Sequence, residues 1–203
     1  MFQAIAAAFF AAAICFFPSK GVAQSNVTLR VMTFNIHHAE GQDGQIDTQR
    51  IADLILSENA DLVGLQEVDR GTTRVSGRDL IAELAQQTGM SFVFSNNLSY
   101  QGGQYGNAIL SKFPIKSRDH KFLPRIGSNE PRGWLKAVVD VNGKDVSFWV
   151  THLSVADNTE RLMSVTNFNN WLTNETNPVI FCGDFNVAPT SGVYSLMAQK
   201  WDD

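Results

Sequence analysis

The chain has 203 residues, of which 44% are hydrophobic and 18% charged, and its formal net charge at pH 7 is −4. This length suits one domain with a substantial core, and the composition is that of an ordinary globular protein. Because the balance is acidic and no basic run stands out, a large non-specific nucleic-acid surface is not supported, although a nuclease with a small local basic patch stays open.

The first residues differ from the rest of the chain. Residues 1–17 are almost wholly apolar, a run shorter than the roughly 20 residues that a membrane-spanning helix needs. Small residues, Gly21 and Ala23, follow before a plausible cleavage point, which favours a signal peptide at residues 1–23 and export to the periplasm or the exterior. A buried N-terminal helix or an uncleaved anchor is the alternative. After cleavage no membrane span is expected, and Cys182 would be the only cysteine.

Strand and helix patterns alternate in the first half of the remaining domain, residues 27–203. Residues 27–34 alternate apolar and polar side chains, which is typical of a strand. Asp47 or Thr48 can cap a helix whose apolar face carries Ile51, Leu54 and Ile55. The further elements predicted here are a buried strand at residues 62–65 and a helix at residues 78–88, ended by Gly89.

The second half is richer in strands. Asn142-Gly143 is a strong hairpin signal between two apolar runs. The predicted strands are residues 92–94, 108–110, 135–141, 146–151 and 179–182, and the predicted helices are residues 162–172 and 190–199. This order predicts an α/β or α+β fold of packed sheets flanked by helices. Because no Gly-x-Gly-x-x-Gly follows the first strand and no phosphate-binding Gly-Lys-Ser/Thr loop is present, a nucleotide-binding Rossmann or P-loop fold is not supported.

Uncommon polar side chains stand at the ends of the predicted strands. They are Asn35, Glu67, Asn107, His152, Asp184 and Asn186. Taken singly, each has a structural explanation, such as a turn, a strand cap, a solvated carboxylate or a satisfied histidine. Taken together, they form an oxygen-rich set without sulfur, and the ends of adjacent strands gather at one edge of a sheet. Such a set suits a hard cation, Mg²⁺ or Mn²⁺, rather than structural zinc.

The segments around these residues resemble one known family. They are Thr-Phe-Asn-Ile at residues 33–36, Gln-Glu-Val at 66–68, Tyr-Gly-Asn-Ala-Ile-Leu-Ser at 105–111, Thr-His-Leu at 151–153 and Gly-Asp-Phe-Asn at 183–186. In this order, over roughly residues 29–203, they are similar to the endonuclease/exonuclease/phosphatase superfamily. Residues 66–70 and 130–133 resemble its bacterial metal-dependent hydrolase branch. The resemblance implies a two-sheet α/β sandwich like that of deoxyribonuclease I.

The resemblance also implies roles for individual residues. Glu67 matches the principal metal-binding carboxylate, with Asn35 close to the metal and the scissile phosphate. Asp184 matches the residue that orients or deprotonates the attacking water, and Asn186 would hold a phosphoryl oxygen or position Asp184. His152 would donate to a non-bridging phosphate oxygen.

Two further residues have supporting roles by the same resemblance. Asn107 would support the site from beside it, and Arg132 would contact a phosphate, with a surface salt bridge as its alternative. His37 and His38 stand two and three positions after Asn35, so we expect them to lie near the site, although they match no family motif.

The expected function is divalent-metal-dependent hydrolysis of a phosphate ester by in-line attack of water. A small or lipid-like phosphate ester is the favoured substrate. A secreted nuclease is the alternative, for which Arg118, Lys121, Arg125 and Arg132 offer a local basic region.

A third reading is an inactive remnant. The family pattern closes with Ser-Asp-His, and nothing after Asn186 matches it. The sequence therefore predicts a fragment that lacks the C-terminal strands of the fold and a general acid/base.

Overall fold

The computed structural model describes residues 27–201, and the predicted signal peptide lies outside them. Eight strands and four α-helices form in this range. The strands are β1 Val31–Asn35, β2 Leu62–Arg70, β3 Ser91–Tyr100, β4 Gly103–Ser111, β5 Ile115–Phe122, β6 Gly133–Val141, β7 Lys144–His152 and β8 Val179–Asp184. The helices are α1 Thr48–Ser57, α2 Leu80–Thr88, α3 Asn158–Thr173 and α4 Gly192–Ala198. None of these helices is both long and apolar enough to cross a bilayer.

The strands form two sheets of the same design. The first has the order β1-β2-β4-β3 and the second the order β5-β6-β7-β8. Each sheet contains one parallel pair, β1 with β2 and β7 with β8, and its other neighbours are antiparallel. In each sheet the parallel pair includes an edge strand, and the two edge strands β1 and β8 contact each other across the sandwich.

Three hydrophobic clusters define the layers of the sandwich. Helices α1 and α2 pack on the outer face of the first sheet through Ile55, Leu84 and their neighbours. Leu62, Ile109 and other residues of the first sheet meet Phe148 and its neighbours of the second sheet between the two layers. Helices α3 and α4 cover the other face of the second sheet. The result is the predicted sandwich of two sheets flanked by helices.

Local signals in the sequence set most of the helix ends. The Asp47 side chain accepts hydrogen bonds from the N–H groups of Gln49 and Arg50, so Asp47 is the N-cap of α1. Gly89 closes α2 with a φ of 70°, a left-handed conformation that glycine adopts without a steric penalty. Asn142 and Gly143 have φ values of 54° and 86°, as the predicted tight hairpin between β6 and β7 requires.

Several predicted boundaries need correction. The first strand begins at residue 31 rather than 27, and α2 begins at residue 80, where Asp79 caps it. Strands β2, β3 and β4 extend well beyond the short apolar runs that predicted them. Strand β5 was missed because it is an exposed edge strand with mostly polar side chains, so it has no apolar alternation.

Close packing between the sheets depends on Gly64 in β2. A Cβ atom at this position would lie 2.6 Å from Val150 Cγ2 and 2.8 Å from Cys182 Sγ. These neighbours belong to the second sheet and are held in the core, so they have little room to move.

The substitution Gly64→Ala is expected to destabilise the protein by about 1–3 kcal/mol, because overpacking a dense core forces its neighbours to shift. Chemical denaturation followed by circular dichroism measures the change. Gly192→Ala is the matched control, since a Cβ atom at that helical position meets no atom within 4 Å. A Gly64→Ala variant as stable as the control would contradict this account of the sheet packing.

Candidate active site

Three strands bring polar side chains from both sheets to one point. Asn35 stands at the end of β1, Glu67 in β2 and Asp184 at the end of β8. The Asn35 Nδ2 group donates to Glu67 Oε1 at 2.7 Å and to Asp184 Oδ2 at 3.0 Å. The Asn35 amide group therefore contacts a residue 149 positions away in the chain. The side-chain oxygen Oδ1 of Asn35 accepts a hydrogen bond from the His37 backbone N–H at 3.1 Å.

An irregularity in β2 aims Glu67 at this point. The register between β2 and β4 shifts between Leu65 and Val68, and Glu67 has a left-handed φ of 59°. A bulge of this kind redirects a side chain out of the strand's regular alternation. Sequence reasoning placed Glu67 after a short strand, whereas it lies inside β2, where the bulge releases it from pairing.

The turn after β8 holds Asp184 in place. The Asn186 backbone N–H donates to Asp184 Oδ1 at 3.0 Å, and the Asn186 side-chain amide donates to the Leu153 carbonyl at 3.0 Å. At Gly183 a Cβ atom would overlap the Thr151 carbonyl oxygen of the neighbouring strand. Asn186 thus contacts Asp184 through its backbone, and the two roles considered for Asn186 stay predictions.

His152 ends β7 directly beside Asp184. Its Nε2 atom lies 3.7 Å from Asp184 Oδ2, and Arg132 Nη1 donates to its Nδ1 atom at 2.8 Å. Because a guanidinium can only donate, Nδ1 is the acceptor and the neutral ring carries its proton on Nε2. Burial, followed by the positive charge of Arg132, lowers the pKa of His152 to about 4. His152 is therefore a neutral N–H donor near pH 7.

Arg132 is itself buried, and it forms an ion pair with a carboxylate that is exposed at the surface. Its side chain is 8% exposed and pairs with Glu130 Oε1 at 2.9 Å, while its Nε atom has no hydrogen-bond partner among the described residues. Arg132 also lines a pocket of about 380 Å³, whose other lining residues include Leu98, Phe122, Leu123 and Pro131. A cationic group thus stands between the polar cluster and an apolar pocket.

Two neighbouring side chains support the cluster. Asn107 lies inside β4, not before it, and its amide donates to the Gly133 carbonyl of the other sheet at 2.9 Å. It joins the two sheets, and its supporting role stays a prediction. Tyr105 was not singled out from sequence. Burial, together with the negative charge of Glu67, raises the pKa of its phenol, so it stays protonated close to Glu67 and Arg132.

The donor groups present suit a divalent cation. Carboxylate oxygens of Glu67 and Asp184 share one hydrogen-bond donor, and two like charges held together in this way are stabilised by a bound cation. Asn35 faces these carboxylates with its N–H group, so its direct ligation of a metal stays a prediction. One ligand atom each of His37, His38 and Glu67 also lies within 4.8 Å of the other two.

The basic residues considered for a nuclease make different contacts. Arg118 donates to the Phe94 carbonyl at 2.8 Å, and the Lys121 ammonium lies 5.9 Å from the centre of the Trp134 ring. Only Arg125 joins Arg132 in lining the 380 Å³ pocket. The nuclease alternative therefore stays a prediction.

Comparison with known proteins identifies the class and the family. The paired sheets, with polar residues at the ends of their parallel strands, define a deoxyribonuclease I-like α/β sandwich. Residues 32–202 match the Endonuclease/Exonuclease/phosphatase family, and the chain belongs to it. The family resemblance and the fold expected from sequence are thus confirmed.

Three similar proteins illustrate the relationship. YbhP of Escherichia coli K12 is 28% identical over 174 residues, which are 78% of this chain and 67% of YbhP. An endonuclease/exonuclease/phosphatase structure from Beutenbergia cavernae is 27% identical with a TM-score of 0.68, and the match covers 84% of this chain and 52% of that one. The Bacteroides thetaiotaomicron mannosyl-6-phosphatase Bt3783 is 18% identical with a TM-score of 0.66, over 84% of this chain and 70% of that one. The match thus spans about half the length of the Beutenbergia protein.

The substitution Arg132→Met is expected to raise the pKa of His152 from about 4 towards the ordinary value of about 6.5, because it removes a nearby positive charge. Titration of the histidine ring signals by NMR in the metal-free protein measures this pKa. His120 serves as the internal control, because its ring contacts Asn97 rather than Arg132. An unchanged His152 titration would show that Arg132 does not set its protonation.

Proposed function

We propose that this protein is a divalent-metal-dependent hydrolase of phosphate esters that uses in-line attack by water. The observation that carries the proposal is the Asn35 amide shared by the Glu67 and Asp184 carboxylates, with His152 3.7 Å from Asp184. Membership of the Endonuclease/Exonuclease/phosphatase family supports the same reaction class.

The carboxylates would divide the work between binding and water activation. Glu67 would hold Mg²⁺ or Mn²⁺, which supplies positive charge to a phosphoryl oxygen in the transition state. Asp184, fixed by Asn186 and Asn35, would orient the attacking water and accept its proton. Asn35 would hold the two carboxylates in fixed positions through its hydrogen bonds to both. This role does not require Asn35 to bind the metal ion itself.

His152 would act as a donor rather than as a base. Its proton lies on Nε2, on the side of Asp184, and its lowered pKa keeps it neutral at pH 7. A neutral imidazole N–H aimed at a phosphate oxygen stabilises the charge that develops there without giving up its proton. The protonated Tyr105 is a second donor close to Glu67.

The pocket beside Arg132 suggests the kind of alcohol in the ester. The buried guanidinium has an Nε–H that lacks a partner among the described residues and can contact a phosphate. The adjoining pocket combines four apolar side chains with polar ones that include Arg125. An ester of a small, partly apolar alcohol fits this arrangement better than a polyanion. The Bacteroides neighbour is a phosphatase on a sugar phosphate, which supports a small substrate over a nucleic acid.

Glu67→Gln and Asp184→Asn are each expected to lower the rate of bis-p-nitrophenyl phosphate hydrolysis by about 10²–10⁴-fold, because they remove a negative metal ligand and a water-activating carboxylate. The release of p-nitrophenol is followed by the visible absorbance of its phenolate form, at saturating Mg²⁺. Asp53→Asn is the matched control, because Asp53 is an exposed helix residue that contacts only Gln49 among the described residues.

Equal rates in Asp184→Asn and Asp53→Asn would overturn the assigned role of Asp184. Supercoiled plasmid, assayed in parallel, separates the alternative of a nuclease, which would nick DNA faster than it cleaves the small ester. A folded chain with no turnover of any ester in Mg²⁺ or Mn²⁺ would support the inactive reading instead.

Removal of divalent cations is expected to abolish hydrolysis, and their re-addition is expected to restore it. Dialysis against EDTA, followed by titration with Mg²⁺ or Mn²⁺, measures the dependence of the rate on each ion. Because the ion offsets the repulsion between Glu67 and Asp184, its addition is also expected to raise the melting temperature, by the linkage of binding to folding. Activity that persists in EDTA would exclude the metal-dependent mechanism.

A further inference from the structure

Two histidines adjoin the carboxylate cluster but take no part in the proposed reaction. His37 and His38 follow β1 directly, and one ring nitrogen of each lies within 4.8 Å of the other and of a Glu67 carboxylate oxygen. Their rings are 4.3 Å apart between centroids. Two imidazoles and one carboxylate at this separation can converge on a single ion.

The surroundings of the His38 ring are those of a metal-binding histidine. Its side chain is 7% exposed, and its Nε2 atom lies 2.8 Å from Glu40 Oε2. Its Nδ1 atom is also buried and has no hydrogen-bond partner among the described residues. When Nε2–H donates to the carboxylate, Nδ1 carries a free lone pair. A carboxylate that holds the far nitrogen of a ligating histidine is a common arrangement around protein-bound metals.

An unsatisfied buried nitrogen is costly unless something binds it. A polar atom left without a partner in the interior costs about 1–3 kcal/mol. Repacking cannot easily relieve this cost, because Glu40 fixes the His38 ring on one side. The cost disappears when an ion or another electron-pair acceptor is bound at Nδ1.

The backbone pays a further cost to bring the two rings together. His37, His38 and Ala39 have φ values of 45°, 44° and 64°, all in the left-handed region. For residues other than glycine this conformation costs roughly 1–2 kcal/mol each. Successive residues of an extended strand point to opposite faces, so the left-handed turn is what lets consecutive histidines share one side with Glu67. Strain of this kind is concentrated at functional sites.

We propose that His37, His38 and Glu67 form a second divalent-metal site, which binds a transition ion such as Mn²⁺, Fe²⁺, Co²⁺ or Zn²⁺. Imidazole nitrogen favours these ions over Mg²⁺, which prefers oxygen ligands. Glu67 is shared with the oxygen-rich cluster, so the two sites adjoin. The proposal goes beyond the proposed function, because it assigns the histidines and predicts a metal preference that the carboxylates alone do not give.

The test is binding of Co²⁺ to the metal-free protein, followed by its visible absorption and by calorimetry. Wild-type protein is expected to bind Co²⁺ with a spectrum typical of nitrogen ligation, and a large excess of Mg²⁺ should not displace the ion. His37→Gln and His38→Gln are expected to weaken binding by at least 10-fold. Glu40→Gln is expected to weaken it by about 10–100-fold, as changes to the carboxylate behind a ligating histidine do.

Matched controls keep the outcome clear. His120→Gln removes a histidine of β5 that contacts Asn97 and should bind Co²⁺ like wild type. Because His37 is exposed, its substitution does not threaten folding, and circular dichroism checks each variant. Equal Co²⁺ affinity in wild type and His37→Gln, or complete displacement by Mg²⁺, would overturn the proposal.

Binding and hydrolysis are measured separately, so the two proposals fail independently. Co²⁺ binding that needs both histidines, in a protein without esterase activity, would support this site and count against the proposed function. Hydrolysis with Mg²⁺ in a protein whose Co²⁺ affinity is unchanged by the histidine substitutions would support the proposed function and count against the second site.

Discussion

The side-chain amide of Asn35 lies between the carboxylates of Glu67 and Asp184, and the arrangement of the site depends on this contact. Both carboxylates lie within 3.0 Å of the Asn35 Nδ2 atom, and two negative charges held near each other in a partly buried setting repel. A single N–H₂ group that donates to both carboxylates offsets part of this repulsion. The same contact joins β1 to β8 and so ties the edge of one sheet to the edge of the other.

The two sheets have the same strand arrangement, and their edge strands β1 and β8 meet at this point. Each sheet has one parallel pair. Asn35 at the end of β1 and Glu67 at the bulge in β2 come from one sheet, and His152 and Asp184 at the ends of β7 and β8 come from the other. The close approach at Gly64 lets the layers pack tightly enough for these ends to touch. Fold and site are thus linked, because the site takes its residues from both sheets.

Local signals made much of this fold predictable, because each acts over a few residues. Asp47 as a helix cap, Gly89 as a helix stop and the Asn142-Gly143 turn follow from side-chain hydrogen bonding and backbone conformation alone. The structure brings Asn35, Glu67 and Asp184 into contact, although Glu67 lies inside its strand. Strand β5 could not be predicted, because only its pairing with β6 makes that polar segment extended. The environment of Arg132 was equally hidden, since it depends on contacts with His152, 20 positions away.

The turn after β1 places side chains in the site that the sequence motif does not predict. Adjacent side chains of an extended chain point to opposite faces. Strand periodicity alone would therefore place His38 on the face opposite Asn35 and His37. The left-handed backbone at three consecutive residues reverses that expectation and places both rings beside Glu67. Glu67 is itself held in a left-handed conformation by the bulge in β2, so both halves of this cluster are strained. Strain in two separate segments that converge on one point is explained most simply by a ligand bound between them, because binding can offset the cost of both at once.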